Sequence, residues 1–336
     1  MATMREVAAQ AGVSVTTVSH VINKTRFVSE EVVSRVYEVI TALDYQPDQR
    51  ARSLRTGSTQ TIGVLVSDIA NPFFPKVVRG VEDCARENAY SVLLSNTDES
   101  AETEAFNLSL MIERRVDGLI LAPSVGADQV LENLTRREMA IVLVDRGCDL
   151  PMDQICSENR QGAYAAVKHL ISLGHKRIGI IVEMVEIQSF QERILGWKEA
   201  LGEANLTPRD GDLRQAGLEV EGAYTAAKKL LSGDDPVSAV FSTNNLMTLG
   251  VFRYLKDAGI RCPEEVSVIG FDDADWASAF NPSISSVAQQ PYQMGYQAME
   301  LLLRRIKDPS CPGKRIQLPC DLRIRESVDT PHARVA

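Results

Sequence analysis

Apolar residues recur at helical spacing through the first 45 positions and then change rhythm. Val7, Ala8 and Ala11 share one helical face before Gly12 interrupts it. Val18, Val21 and Ile22 form the face of a second helix, from about Val15 to Asn23, with Ser14 as its N-cap. Ser29, Glu30 and Glu31 open a third, whose early acids suit the helix dipole. It runs to about Leu43 and turns Val32, Val36, Val39 and Leu43 toward the first two. Pro47 ends this run, and the one or two helical turns that can follow are too short to be stable alone in water.

From residue 61 the pattern becomes short apolar strands alternating with amphipathic helices. Strands are expected at residues 61–67, 91–96, 117–123, 140–145, 177–182, 238–243 and 265–271, with helices over 72–88 and 101–114. This alternation predicts parallel, doubly wound sheets. Two such series make a bilobal clamp with its ligand at the carboxyl ends of the strands. A length of 336 residues suits this division. The expected boundaries are a helix-turn-helix domain over 1–46, a hinge helix and linker over 47–60, an effector domain over 61–330 and a tail over 331–336. Within the effector domain, one lobe takes 61–160 and 291–318, and the other 161–288 and 320–330.

Two short helices joined at a glycine make a helix-turn-helix. Ala8 is small where the helices cross, Gly12 allows positive φ in the turn, and Val18 fills the space between. The opposite face presents Val15, Thr16, Ser19 and His20, a set suited to base edges in a major groove. The chain carries 36 Lys and Arg against 45 Asp and Glu, which argues against nucleic acid until the charge is divided. Residues 1–60 hold seven basic and six acidic side chains, with Arg50, Arg52 and Arg55 close together. A local basic cluster can hold phosphates while the rest of the chain is acidic.

The loops after the predicted strands hold the other candidates: Phe73 and Phe74, Asp145, Asn244 with Asn245, and Asp272 with Asp273. Gln289 precedes Pro291, and Arg193 lies in a helix. Aromatic faces beside forked hydrogen-bonding groups suit a polyhydroxylated ring. Each residue also has a plainer reading: Phe73 and Phe74 as core, Asp272 and Asn244 as helix caps or turn residues, Arg193 as a solvated charge.

Enzymatic chemistry has little support. No dinucleotide, phosphate-loop, nucleophile-elbow or zinc-helix motif occurs. His169 and His175 read as structural, and His332 falls in the tail. The six cysteines lack metal or disulfide spacing, so neither a cofactor nor a metal is expected. The apolar runs are too short to span a bilayer and the N-terminus lacks a secretory core, so the expected location is cytoplasmic.

The run AGVSVTTVSHVINKTRFVSEE resembles the lactose/galactose repressor family, and within it the ribose and purine repressors. The resemblance covers nearly the whole chain. It implies an N-terminal all-α helix-turn-helix followed by a bilobal α/β domain like that of periplasmic sugar-binding proteins. It also implies a homodimeric repressor on a near-palindromic operator. Val15, Thr16 and His20 would read bases, while Ser14, Thr17 and Asn23 would lie near phosphates. Arg52 and Leu54 belong to the hinge, where Leu54 would wedge into the minor groove. Residues matching Phe73, Phe74, Arg193, Asn244, Asp272 and Gln289 contact the sugar in the ribose branch, which favours a pentose effector. A purine corepressor is the alternative, and Leu218 stands where purine-binding relatives offer an aromatic. Asn245, Glu158 and the Ser285-Ser286 pair depart from the usual pattern.

Overall fold

The computed structural model describes residues 2–45 and 57–331. Arg52 and Leu54, like His332, lie outside the described residues. The chain divides into two compact units, Met1–Thr59 and Gln60–Ala336.

In the first unit, helices α1 (Met4–Ala11), α2 (Val15–Asn23) and α3 (Glu30–Ala42) enclose a small core. Val7, Val18 and Val36 are fully buried, with Ala8, Ala11 and Val21 beside them. Val32, Val39 and Leu43 are partly buried against this cluster. Gly12 ends α1 in the left-handed conformation at φ 64°, where a side chain would be strained. Ser14 caps α2 by accepting a hydrogen bond from the Thr17 backbone at 3.0 Å. Ser29 occupies the N-cap position of α3, but its hydroxyl makes no capping bond. A reciprocal cap appears instead on α1: Thr3 accepts from the Glu6 backbone while the Glu6 carboxylate accepts from the Thr3 backbone at 2.7 Å.

The second unit holds two six-stranded sheets. Strands β1 (Thr61–Val66), β2 (Ser91–Asn96), β3 (Gly118–Leu121), β4 (Ile141–Asp145) and β5 (Asp153–Ser157) belong to the first, with β11 (Arg315–Leu318) at its edge. Its order is β11-β5-β4-β3-β1-β2. The second contains β6 (Ile178–Val182), β7 (Leu213–Gln215), β8 (Ala239–Ser242), β9 (Ser267–Phe271), β10 (Ser285–Ala288) and β12 (Asp321–Arg323), in the order β12-β10-β9-β8-β6-β7. All pairings are parallel except β10 with β12. The central strands are buried on both faces, which explains their unbroken apolar runs.

The connecting helices cover both faces of the sheets. Around the first lie α4 (Phe73–Glu87), α5 (Ala101–Glu113), α6 (Asp128–Arg136) and α11 (Pro291–Lys307); around the second lie α7 (Asn159–Ser172), α8 (Gln188–Glu203), α9 (Val220–Leu231) and α10 (Asn245–Ala258). The chain passes between the sheets three times: after β5, after β10 and after β11. Backbones of neighbouring helices meet at glycines: a Cβ on Gly80 of α4 would sit 2.1 Å from the Tyr292 carbonyl oxygen of α11.

His175 is buried between Ser238, Ser267 and the Asp329 carbonyl, a structural role. The cysteines are unbridged, and burial pushes the thiols of Cys156, Cys262 and Cys320 up to about 12, which makes them inert. Among the described residues no helix is long and apolar enough to cross a membrane, and no metal-ligating cluster occurs.

Candidate functional site

The exposed side of α2 carries Val15, 41% exposed, and Thr16. His20 is half-buried, and its Nδ1 lies 2.8 Å from the Thr25 hydroxyl. The Ser14 and Thr17 hydroxyls lie 2.8 Å apart, and the Asn23 amide donates to the Ser19 carbonyl at 2.8 Å. These three polar side chains thus hold the two ends of the helix while Val15 and Thr16 point outward. Phe27, in the turn before α3, is 96% exposed.

In the second unit a cavity of about 210 Å³ lies between the carboxyl ends of the two sheets. Phe73, Phe74, Asp145, Arg193, Asn244, Asp272 and Gln289 all line it. Most arrive by one device, because a strand ends in the core and its next residue enters the cavity. Asp145 is the last residue of β4, Asn244 follows β8 by two residues, and Asp272 and Gln289 directly follow β9 and β10.

Several residues do two jobs. The rings of Phe73 and Phe74 pack edge to face at 5.1 Å and are 5% and 4% exposed, so they are core and cavity wall together. Asn244 caps α10 by accepting from the Met247 backbone at 2.8 Å, and its amide donates to Glu183 in the cavity. Arg193 is buried rather than solvated. It donates through Nε to Asn159 Oδ1 at 2.8 Å and through Nη1 to the Thr243 carbonyl, and lies 3.8 Å over the Phe271 ring. Asp272 does not cap the helical turn that follows it; it accepts from the Gln289 amide and from the Asn245 backbone at the start of α10, and burial raises its carboxyl above the usual range. Gln289 Oε1 is buried without a hydrogen-bond partner among the described residues, a free acceptor on the wall.

Further wall residues escaped the sequence reading. Arg146 grips Glu99 through two hydrogen bonds of 2.8 Å and lies 3.3 Å from Asp145. Glu183, 7% exposed, faces them from the other sheet, and Ser189, Phe190 and Glu219 complete that side beside Leu218, which the family resemblance had already marked. Arg146, Glu183 and Glu99 come just after strands β4, β6 and β2, so the strand-end rule points to each.

A helix-turn-helix joined to a two-sheet domain with a polar, aromatic-walled cavity defines a ligand-responsive DNA-binding regulator. The family model for bacterial regulatory proteins of the lacI family matches residues 3–48, and that for a periplasmic binding protein-like domain matches residues 167–328. The HTH-type transcriptional repressor PurR of Aliivibrio salmonicida is 37% identical over 98% of this chain and 99% of its own length. A LacI family transcriptional regulator from Enterococcus faecium, solved with bound ribose, is 31% identical with a TM-score of 0.73, covering 81% of this chain and all of that one. The lac repressor dimer bound to operator and the anti-inducer ONPF shares the fold, with a TM-score of 0.88 at 24% identity over 98% of this chain and 99% of its own. The chain belongs to the lacI family of bacterial regulatory proteins, and it is a transcriptional regulator rather than an enzyme.

Proposed function

We propose that this chain is a cytoplasmic homodimeric repressor whose grip on a near-palindromic operator is set by a ribose-like pentose bound between the two sheets. The carrying observation is the meeting of Phe73 and Phe74 with Arg193, Asn244, Asp272 and Gln289 around one cavity. Aromatic faces stack on the C–H faces of a sugar, while carboxylate and amide groups take its hydroxyls. The relative solved with ribose supports this choice of ligand. On DNA, Val15, Thr16 and His20 read base edges, Ser14, Thr17 and Asn23 lie at phosphates, and Arg52 and Leu54 act in the hinge. Sugar binding shifts the balance between two arrangements of the clamp and so weakens operator binding.

The second reading is a purine corepressor, favoured by the relatives named as purine repressors. Leu218 counts against it, because that place on the wall carries an aliphatic side chain where purine-binding relatives offer an aromatic to stack on the base. The test is thermal denaturation against pentoses, hexoses, nucleosides and purine bases. A ligand at about 100 times its dissociation constant stabilises by about 2.7 kcal/mol. A shift with D-ribose, followed by operator release with that sugar, supports the first reading. A shift with purines alone, with tightened operator binding, replaces it with the second.

A further inference from the structure

The wall of the cavity is strongly unbalanced in charge. Seven of its residues are Asp or Glu and two are Arg. Both guanidiniums are already engaged: Arg146 by Glu99 and Asp145, Arg193 by Asn159, the Thr243 carbonyl and the Phe271 ring. Glu183 and Asp272, by contrast, are 7% and 9% exposed and form no salt bridge among the described residues. Their neighbours are amides, of Asn244 and Gln289. Buried carboxylates are ordinarily paired with a cation. Here Arg146 acts on Glu183 and Arg193 on Asp272 only from beyond salt-bridge distance, each guanidinium being engaged elsewhere.

We propose that the cavity selects its effector by charge, admitting a neutral or amine-bearing polyol and rejecting phosphorylated and carboxylated ones, with Glu183 as the residue that sets the discrimination. The inference rests on the reading of this cavity as a sugar site. Carboxylates only accept hydrogen bonds, so hydroxyl and ammonium donors complement them, whereas phosphate oxygens meet acceptor against acceptor. Glu183 already registers the surrounding potential. Burial, together with the charge of Glu99, pushes its carboxyl up to about 7 despite Arg146 and the Asn244 amide. An added anion would meet the same field.

Titration calorimetry on the full chain with D-ribose, D-ribose 5-phosphate and 2-amino-2-deoxy-D-ribose, at about pH 8 where Glu183 is mostly ionised, tests this. The phosphate ester is expected to bind at least about 100-fold more weakly than ribose, and the amino sugar within about tenfold of it. Glu183→Gln keeps the size and an acceptor for Asn244 while removing charge, and should narrow the ribose-to-phosphate gap by about tenfold. A purely steric limit would leave that gap unchanged, and this result overturns the proposal. So does phosphate binding as tight as ribose, or an amino sugar bound more than about tenfold below ribose. If Glu183→Gln does not fold, Glu219→Gln at the exposed mouth should narrow the gap at least about threefold, and no narrowing is again fatal. Ribose binding without charge discrimination would sink this inference alone; failure of all three ligands would remove the sugar reading with it.

Discussion

Asp145 and Asp272 hold matching places in the two sheets, one ending β4 and the other directly following β9, the third strand in each order. Both carry positive φ, 68° and 71°. An Asp tolerates this conformation better than most residues, and strained backbone of this kind concentrates at functional sites. The two sheets thus aim one carboxylate each into the shared cavity by the same backbone device.

Asp272→Asn keeps that backbone accessible while removing the charge. It should weaken effector binding by about 1.5–3 kcal/mol, the range of a hydrogen bond to a charged group, and leave operator affinity of the ligand-free protein unchanged. Calorimetry and a fluorescence operator titration separate the two; normal sugar binding would show that Asp272 is not a ligand.

Thr16 and Val18 lie two residues apart on α2 but face opposite ways, one exposed and one fully buried. Thr16→Ala should reduce operator affinity by about 1–3 kcal/mol without loosening the helices. Val18→Ala should instead lower hydrogen-exchange protection of α1 to α3 by about 1–3 kcal/mol through a core cavity. Equal loss of protection in both variants would contradict the assignment of faces.

Leu54→Ala tests the proposed hinge wedge. Operator affinity should fall more than tenfold, about 1.4 kcal/mol or more, with sugar binding intact. An unchanged operator dissociation constant would remove Leu54 from the interface.

Glu183 and Asp273 make opposite contributions to the pH dependence of stability. Glu183 has its pKa raised from 4.5 to about 7, so the folded state holds an extra proton between those values and loses stability as pH rises through them. Asp273 runs the other way. Burial raises its pKa, but hydrogen bonds from Arg325, Ser286 and Arg323 outweigh that and hold it at about 2. Its contribution is present above pH 3.8 and lost as pH falls toward 2. Denaturant titrations from pH 4.5 to 7 should therefore show stability falling less, or rising more, with pH in Glu183→Gln than in the parent chain. An identical slope in that variant would refute the assignment.

The central strands were legible because burial on both faces leaves unbroken apolar runs such as residues 178–182. Of the edge strands β2 was legible, but β7 and β12 were not, being three residues long and partly exposed, nor was β5, next to the edge, which reads Asp-Gln-Ile-Cys-Ser. Of the cavity wall, Asp145 and Asp272 stood out at strand ends. Glu183 sits in an equivalent place, but its part in the site depends on a partner sheet that no local pattern reveals. Arg193 looked like an ordinary helical charge until Phe271 and Thr243 were brought against it.

The triple passage between sheets has a consequence in time. Three-helix packing at the N-terminus uses only residues emerging early from the ribosome, whereas β11 and β12 leave it near the end of synthesis. Contacts this distant in sequence form slowly, and until they do neither sheet has its last strand. A chain still being translated thus completes its DNA-reading helices well before it completes its sensor, and truncation between β10 and β11 strips each sheet of one edge strand.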